Sequence, residues 1–315
     1  MLYMVQIDLI TGFLGAGKTT FLRRYVTYLL EQGHNVCILE NDFGAVNVDA
    51  MLLQDLLGDR CDLETISGGC DCDTHQRRMR TKLISLAMRG FDRVVVEPSG
   101  IFEVDEFFDL LRDEPLDRWY TIGNVFSIVD ALLPAELSPQ AEYLLASESA
   151  HAGMVLLSRS QLATEAQCQA ACAHLNTALQ RCKCSRRFAP EDILIKDWAA
   201  LTTADLARLA SCGSRPASYE KLHFDTHSSF TSLCFLELGL SPQQLQTAAQ
   251  ALLTEPSFGQ VLRVKGFAPS ADGWWELNAT AAGQTLNPLP NGQEVLIVIG
   301  EGLDKAAIQA IFERV

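Results

Sequence analysis

Gly12-Phe13-Leu14-Gly15-Ala16-Gly17-Lys18-Thr19-Thr20 is the stretch that decides the fold. It matches G-x-x-x-x-G-K-[ST], a phosphate-binding loop, and its flanks are those such a loop needs. Ahead of it, Met4-Val5-Gln6-Ile7-Asp8-Leu9-Ile10 reads as a buried strand; behind it, Phe21, Leu22, Tyr25, Val26, Leu29 and Leu30 recur at helical spacing until Gly33. Strand, glycine loop and helix N-terminus together aim backbone N–H groups and the positive helix end at a phosphate chain. Gly12, Gly15, Ala16, Gly17 and Thr20 are expected to line the cradle. Lys18 should reach the β- and γ-phosphates, and the Thr19 hydroxyl should ligate Mg²⁺.

Working outward, apolar runs at 36–39, 62–66, 94–96, 125–129 and 154–157 alternate with helical patterns at 74–88, 103–112 and 164–181. That alternation predicts an α/β domain, a mostly parallel sheet with helices on both faces and ligands at the strands' carboxyl ends. The pattern breaks at 212–219, read as a linker, so a first domain is expected over 1–213. A smaller α+β domain is expected over 219–315, with strands at 230–238, 261–267 and 295–299 and a helix at 242–253. Val94-Val95-Val96-Glu97 is an apolar strand ending in an acid, the position from which Glu97 serves Mg²⁺, and Gly100 is expected to bring its N–H to the γ-phosphate.

A formal net charge of −14 disfavours nucleic acid or an anionic membrane as partner. No apolar run reaches membrane-spanning length and no signal peptide is evident, which together predict a cytoplasmic protein. Ten cysteines beside a phosphate loop point to metal or redox chemistry before disulfides. Cys70 and Cys72 sit on a glycine-rich turn with Asp73 and His75 close behind, a donor set suited to Zn²⁺ or a similar ion. The alternative is a pair of buried small apolar side chains; the polar, glycine-rich flanks favour the metal.

Gly12 to Thr20, Glu40-Asn41-Asp42-Phe43-Gly44, Gly68-Gly69-Cys70-Asp71-Cys72 and Glu97-Pro98-Ser99-Gly100 resemble, in order, four motifs of the CobW-type P-loop GTPases, relatives of HypB and UreG. The likeness continues at Val129-Asp130-Ala131 and into the C-terminal region at 262–267 and 299–304. It implies a CobW-like C-terminal domain and a nucleotide-gated metallochaperone or metal/cobalamin-cofactor insertion factor. Such a protein is a slow P-loop nucleoside triphosphatase, a GTPase first and ATP second, with Mg²⁺ and with Zn²⁺ or Co²⁺ as cargo. The implied partner is a client metalloprotein held through the C-terminal domain. Glu40 would join the metal ligands and Asp42 the nucleotide switch.

Several positions depart from that pattern. Asp73 stands where the family has a third cysteine, a harder donor than thiolate, and Asp42 and Ala45 replace glutamates. The guanine-reading Asn-Lys-x-Asp is here Ser158-Arg159-Ser160-Gln161. Losing the aspartate removes a charge-assisted hydrogen bond of about 1.5–3 kcal/mol, on the order of tenfold in guanine preference. Arg159 is expected to stack on a base in place of the lysine, and Ser158 to line the base site. Two rivals therefore stand: a base-promiscuous or ATP-using hydrolase that activates a metalloenzyme without carrying metal, and a scaffold with a relic nucleotide site. Weaker clusters are Cys168, Cys172, Cys182 and Cys184, a Zn²⁺ or iron–sulfur site or small apolar fillers; His223, Asp225 and His227, a remnant of a metal-collecting stretch or ordinary exposed histidines; and Arg263, Lys265, Trp274 and Trp275, a partner surface or a packed strand.

Overall fold

A computed structural model describes residues 4–42, 49–67, 72–98, 104–222, 230–271, 273–281 and 283–314. The chain divides into two compact units, Met1–Asp42 with Leu52–Leu222, and Phe43–Met51 with His223–Val315.

The first unit is built on β1 (Val5–Gly12), β2 (Val36–Asp42), β3 (Cys61–Ser67), β4 (Arg93–Glu97), β5 (Tyr120–Asp130), β6 (Met154–Ser158) and β7 (Ile193–Ile195). They form one sheet in the order β3-β2-β4-β1-β5-β6-β7, and every pairing is parallel. The helices between these strands are α1 (Lys18–Glu31), α2 (Cys72–Ala87), α3 (Val104–Arg112), α4 (Pro139–Ala150) and α5 (Glu165–Arg181), and α6 (Thr203–Leu209) follows β7. Central strands buried on both faces read as continuous apolar runs: Val94, Val95 and Val96 are fully buried, and Ile7, Leu9 and Ile10 nearly so. On one face, α1 lays Phe21, Leu22, Tyr25, Val26 and Leu29 against Ile10, Ile38, Phe126 and Ile128.

One buried charge ties three strands and a helix together. Asp8 accepts from Tyr25 Oη at 2.8 Å, from Arg93 Nη1 at 3.0 Å and from the Asn124 backbone N–H at 2.6 Å. Burial without such partners would cost several kcal/mol; here β4, β5 and α1 each supply a donor to the carboxylate on β1. Gly123 makes room for it, because a Cβ there would stand 2.2 Å from Asp8 Oδ1.

The 212–219 segment, read as a linker, is tied into the first unit instead. Arg215 N–H donates to His151 O at 3.0 Å, Ser185 N–H to Ser218 O at 2.9 Å, and Glu220 N–H to Cys182 O at 2.8 Å. The Gly and Pro content marks irregular backbone, and that backbone is nonetheless pinned by hydrogen bonds.

The second unit carries an antiparallel sheet in the order β11-β10-β9-β12-β8. Its strands are β8 (Thr231–Leu236), β9 (Gln260–Ser270), β10 (Gly273–Thr280), β11 (Gly283–Leu289) and β12 (Val295–Glu301). Helices α7 (Pro242–Thr254) and α8 (Lys305–Phe312) cover one face, with Leu245, Ala248, Leu252, Ile308 and Phe312 against Val264, Leu277 and Val298. Packing absorbs the residues that could have formed a partner surface here. Lys265 is buried against Glu276 Oε1 at 3.4 Å, Arg263 Nη2 donates to Asn278 at 3.0 Å, and Trp274 packs with Phe267 and Val295.

Candidate nucleotide and metal site

The phosphate loop turns on glycines that no other residue replaces without strain. Gly12, Gly15 and Gly17 have φ of 140°, 73° and 102°, a region open to glycine and closed to most side chains. A Cβ on Gly12 would stand 2.4 Å from Ile128 O. The loop delivers the chain into α1 with Gly17 as N-cap, no side-chain cap and no acid in the first turn. Every other α-helix with a described N-cap is closed by a side chain: Ser138 on α4, Thr164 on α5, Thr202 on α6, Ser241 on α7 and Asp304 on α8. The first N–H groups of α1 and the positive helix end are left for an anion.

Lys18 is buried and donates from Nζ to Gly12 O at 2.7 Å, so its ammonium lies over the loop it is to serve. Thr19 Oγ1 donates to Glu97 Oε1 at 2.9 Å, which brings the two Mg²⁺ candidates together across 78 positions of sequence. Both offer hard oxygen donors, and Glu97 is buried, so the pair suits Mg²⁺. Glu40, also buried, is the register partner of Glu97 on neighbouring parallel strands, so the two carboxylates share one face at the sheet's carboxyl edge.

Arg159 has partners within the protein. It holds φ 54°, and its guanidinium is engaged by Asp130 (Nε to Oδ1 at 3.0 Å, Nη2 to Oδ2) and by Gly15 O at 2.9 Å. These bonds tie it to the phosphate loop through its N–H edge. Ser158 is buried with its Oγ toward Val129 O, and its Cβ would lie 3.7 Å from a Cβ on Gly17.

Three residues of the site carry no signal of their role in the sequence. Trp198, in the turn after β7, packs on Phe21 with ring centroids 5.7 Å apart; its ring edge would lie 3.3 Å from a Cβ on Gly17, and its indole N–H is buried with no hydrogen-bond partner among the described residues. Glu148 on α4 is buried, with no hydrogen-bond partner to its Oε2 among the described residues. Burial pushes its carboxyl up to about 8, the charge of Lys18 pulling the other way. Asp130 stands out in the sequence only as part of a motif, although the neighbouring ends of β5 and β6, paired as Asp130 with Ser158, are what bring it to Arg159.

Cys70 and Gly100, with His223, Asp225 and His227, lie outside the described residues. Asp42, Cys72, Asp73 and His75 are described in backbone only, the last three in the first turn of α2. No group of three or more metal-ligating side chains assembles among the described residues. Cys168, Cys182 and Cys184 are buried and Cys172 half-buried as free thiols, and burial pushes the Cys172 and Cys182 thiols up. They behave as small apolar fillers. Among the described residues no helix is long and apolar enough to cross a membrane.

A seven-stranded parallel sheet, a glycine loop entering an uncapped helix, and a Thr–Glu pair at the next strand's end define a P-loop nucleotide-binding protein. The profile of the CobW/HypB/UreG nucleotide-binding domain matches residues 6–188, and that of the cobalamin synthesis protein cobW C-terminal domain matches 232–315. The chain belongs to the CobW/HypB/UreG family. Zinc chaperone YjiA of Escherichia coli is 32% identical over 174 residues, covering 52% of each chain. Zinc chaperone YeiR of the same organism is 29% identical over 162 residues, 51% of this chain and 48% of its own. The chain thus spans about half the length of these curated relatives. Among solved structures, the Zn(II)-bound YjiA GTPase from E. coli aligns over 99% of this chain and 98% of its own, at 22% identity and TM-score 0.36.

Proposed function

We propose that this protein is a nucleotide-dependent metal chaperone or metal/cobalamin-cofactor insertion factor with slow P-loop GTPase activity. The observation that carries the proposal is the edge where Thr19 meets Glu97 and Glu97 is in register with Glu40. Glu40 leads into 41–44, one expected switch, and the parallel neighbour β3 runs to the Cys70–Cys72 turn. The zinc chaperones among the relatives agree with zinc as cargo.

In this cycle the N–H groups of the 12–20 loop and Lys18 bind the phosphates, and Thr19 and Glu97 would hold Mg²⁺, which supplies charge neutralisation at the γ-phosphate. Arg159 keeps the loop shaped for its ligand. Cys70, Cys72, Asp73 and His75, with Glu40, are the proposed cargo ligands, and a change at the Glu97 end alters the position of Glu40 and so the hold on the ion. The client is engaged in the cell's interior, on a protein with no predicted need for nucleic acid or membrane.

The test is competition for Zn²⁺ between the purified protein and a chromophoric chelator, run with Mg²⁺–GDP and with a non-hydrolysable GTP analogue. Zinc affinity should differ at least severalfold between the two states, and Cys70→Ser with Cys72→Ser should abolish both the tight site and the difference. Equal affinity in both states, or tight binding that survives the double substitution, would overturn the proposal. Hydrolysis without any zinc site would favour the hydrolase that activates a metalloenzyme without carrying metal.

A further inference from the structure

β3 is an edge strand: it pairs with β2 through all of Cys61–Ser67, and no described strand pairs with its other side. An uncovered edge presents a row of N–H and C=O groups to any extended segment that approaches. Behind this edge, α2 lies with Met79, Leu83 and Leu86 inward, which turns Arg77, Arg78, Thr81 and Ser85 outward as exposed residues. Between strand and helix opens a cleft of about 630 Å³ whose polar lining is Thr65, Arg77, Arg78, Thr81, Lys82 and Ser85.

The charge of this cleft runs against that of the molecule. The whole chain carries −14, whereas α2 sets Arg77, Arg78, Arg80 and Lys82 against a single acid, Asp73. Part of that charge is neutralised within the fold. Lys82 pairs with Glu64 at 2.8 Å, Arg80 with Asp113 at 3.3 Å, and Arg89, just beyond the helix, with Glu64 at 2.6 Å. Arg77 has no ion pair among the described residues, and it lines the cleft with Arg78, hydroxyls on either side. No aspartate or glutamate among the described residues lines the cleft.

We propose that the β3 edge and the α2 cleft dock an extended acidic segment of a partner protein. The segment would add a strand beside β3 through main-chain hydrogen bonds, with alternate carboxylates directed at Arg77 and Arg78 and the hydroxyls of Thr65, Thr81 and Ser85 in the same cleft. Carboxylate recognition by arginine gives register and on-rate, and the repulsion of other acidic segments by the remaining surface gives selectivity. The first turn of α2 carries Cys72, so a segment held here lies on the element that bears a proposed cargo ligand. Naming the partner a client rests on the proposed function; the docking itself needs neither metal nor nucleotide.

The experiment is fluorescence anisotropy on the full chain, without zinc or nucleotide, using a labelled seven-residue peptide of alternating Glu and Val. Peptides of alternating Ser and Val and of alternating Lys and Val are the controls. The Glu/Val peptide should bind with an affinity that falls as salt rises, and Arg77→Glu with Arg78→Glu should weaken it at least about tenfold. Both positions are exposed, so the double variant should keep the parent's melting temperature and Mg²⁺–GDP affinity. Equal binding of Ser/Val or Lys/Val, an unchanged affinity in the double variant, or displacement by sulfate at equal concentration would each overturn the proposal. Because zinc and nucleotide are absent, failure here leaves the chelator competition untouched, and failure there leaves this result standing.

Discussion

Arg159→Ala separates two roles for the residue at the expected base-reading position. The backbone there is already left-handed, φ 54°, and alanine inherits the same strain as arginine, so the substitution changes the side chain alone. What is lost is a fork to Asp130 and one hydrogen bond to Gly15 O at 2.9 Å. The pair with Asp130 is partly exposed, 28% for the arginine and 13% for the aspartate, so its loss should cost about 1 kcal/mol of stability and not the value of a buried pair. The bond to Gly15 O pins the loop in its ligand-ready shape, and without it the nucleotide must order the loop on binding. A charge-assisted hydrogen bond, discounted for exposure, gives about 1.4 kcal/mol, or about tenfold in Kd. Because the guanidinium touches loop backbone, GDP and ADP should weaken equally, and Arg159→Lys, one donor in place of a fork, should fall between. Calorimetric titration of Mg²⁺–GDP and Mg²⁺–ADP, beside urea unfolding, reads all three quantities. A loss confined to GDP would put Arg159 on the base, and no loss within twofold would refute the brace.

Thr19→Ala removes the hydroxyl that meets Glu97 Oε1 at 2.9 Å; GDP affinity measured with Mg²⁺ should fall about tenfold, while affinity in EDTA should barely change. Gly12→Ala places a Cβ 2.4 Å from Ile128 O at φ 140°, and calorimetric melting should show a loss of about 2–4 kcal/mol with nucleotide binding gone. Glu148→Gln tests the buried carboxyl beneath Lys18. Its folded-state pKa of about 8 lies above the ordinary glutamate value of 4.5, so the native state holds the proton more tightly and the contribution to stability is full below 4.5 and lost as pH rises through 8. The substitution should therefore leave stability near pH 5 almost unchanged and raise it by a few kcal/mol above pH 8.5; identical melting-temperature profiles from pH 5 to 9 would show that Glu148 does not titrate in that window.

The phosphate loop and the strands β1, β2, β4, β5 and β6 are legible in the sequence because buried parallel strands are short apolar runs, and the edge strand β3 (Cys61–Ser67) by its alternation of apolar and polar residues. β7, only Ile193–Ile195 and half exposed, is too short to leave such a run. α4 is not legible either, and the cause is physical. Every residue from Ala141 to Ala150 is buried, so no polar stripe alternates with an apolar one, and Glu142, Ser147, Glu148 and Ser149 look like loop residues when they are packed ones. β11 fails the opposite way: Gly283–Leu289 is mostly exposed and ends in a Pro-containing stretch, and only its pairing with β10 makes it a strand. In the site, local chemistry is readable and long-range chemistry is not. Lys18 and Thr19 announce themselves by spacing, whereas Trp198 reaches Gly17 only because β7 lies beyond β6 in a sheet whose order no local pattern encodes. The same limit hides the contacts of Arg159, since its bonds to Asp130 and Gly15 require knowing where Asp130 ends.

The proposed coupling between nucleotide and cargo follows from the strand order as much as from the motifs. Glu40 pairs in register with Glu97 on one side and with Thr65 on the other, and parallel neighbours lie about 4.8 Å apart. Carboxylates buried on neighbouring strands repel one another, the more so in low dielectric. Thr19 gives Glu97 a hydrogen bond, and under the proposed function a divalent ion bound at Glu97 would add positive charge to this edge and remove it on leaving. Glu40, in register with Glu97, would be the adjoining acid to feel that change, and it stands on the strand that leads into 41–44, beside the strand that leads to Cys70 and Cys72. A nucleotide-dependent grip on zinc, as proposed, would need no long relay, because β3, β2 and β4 are direct neighbours in the sheet.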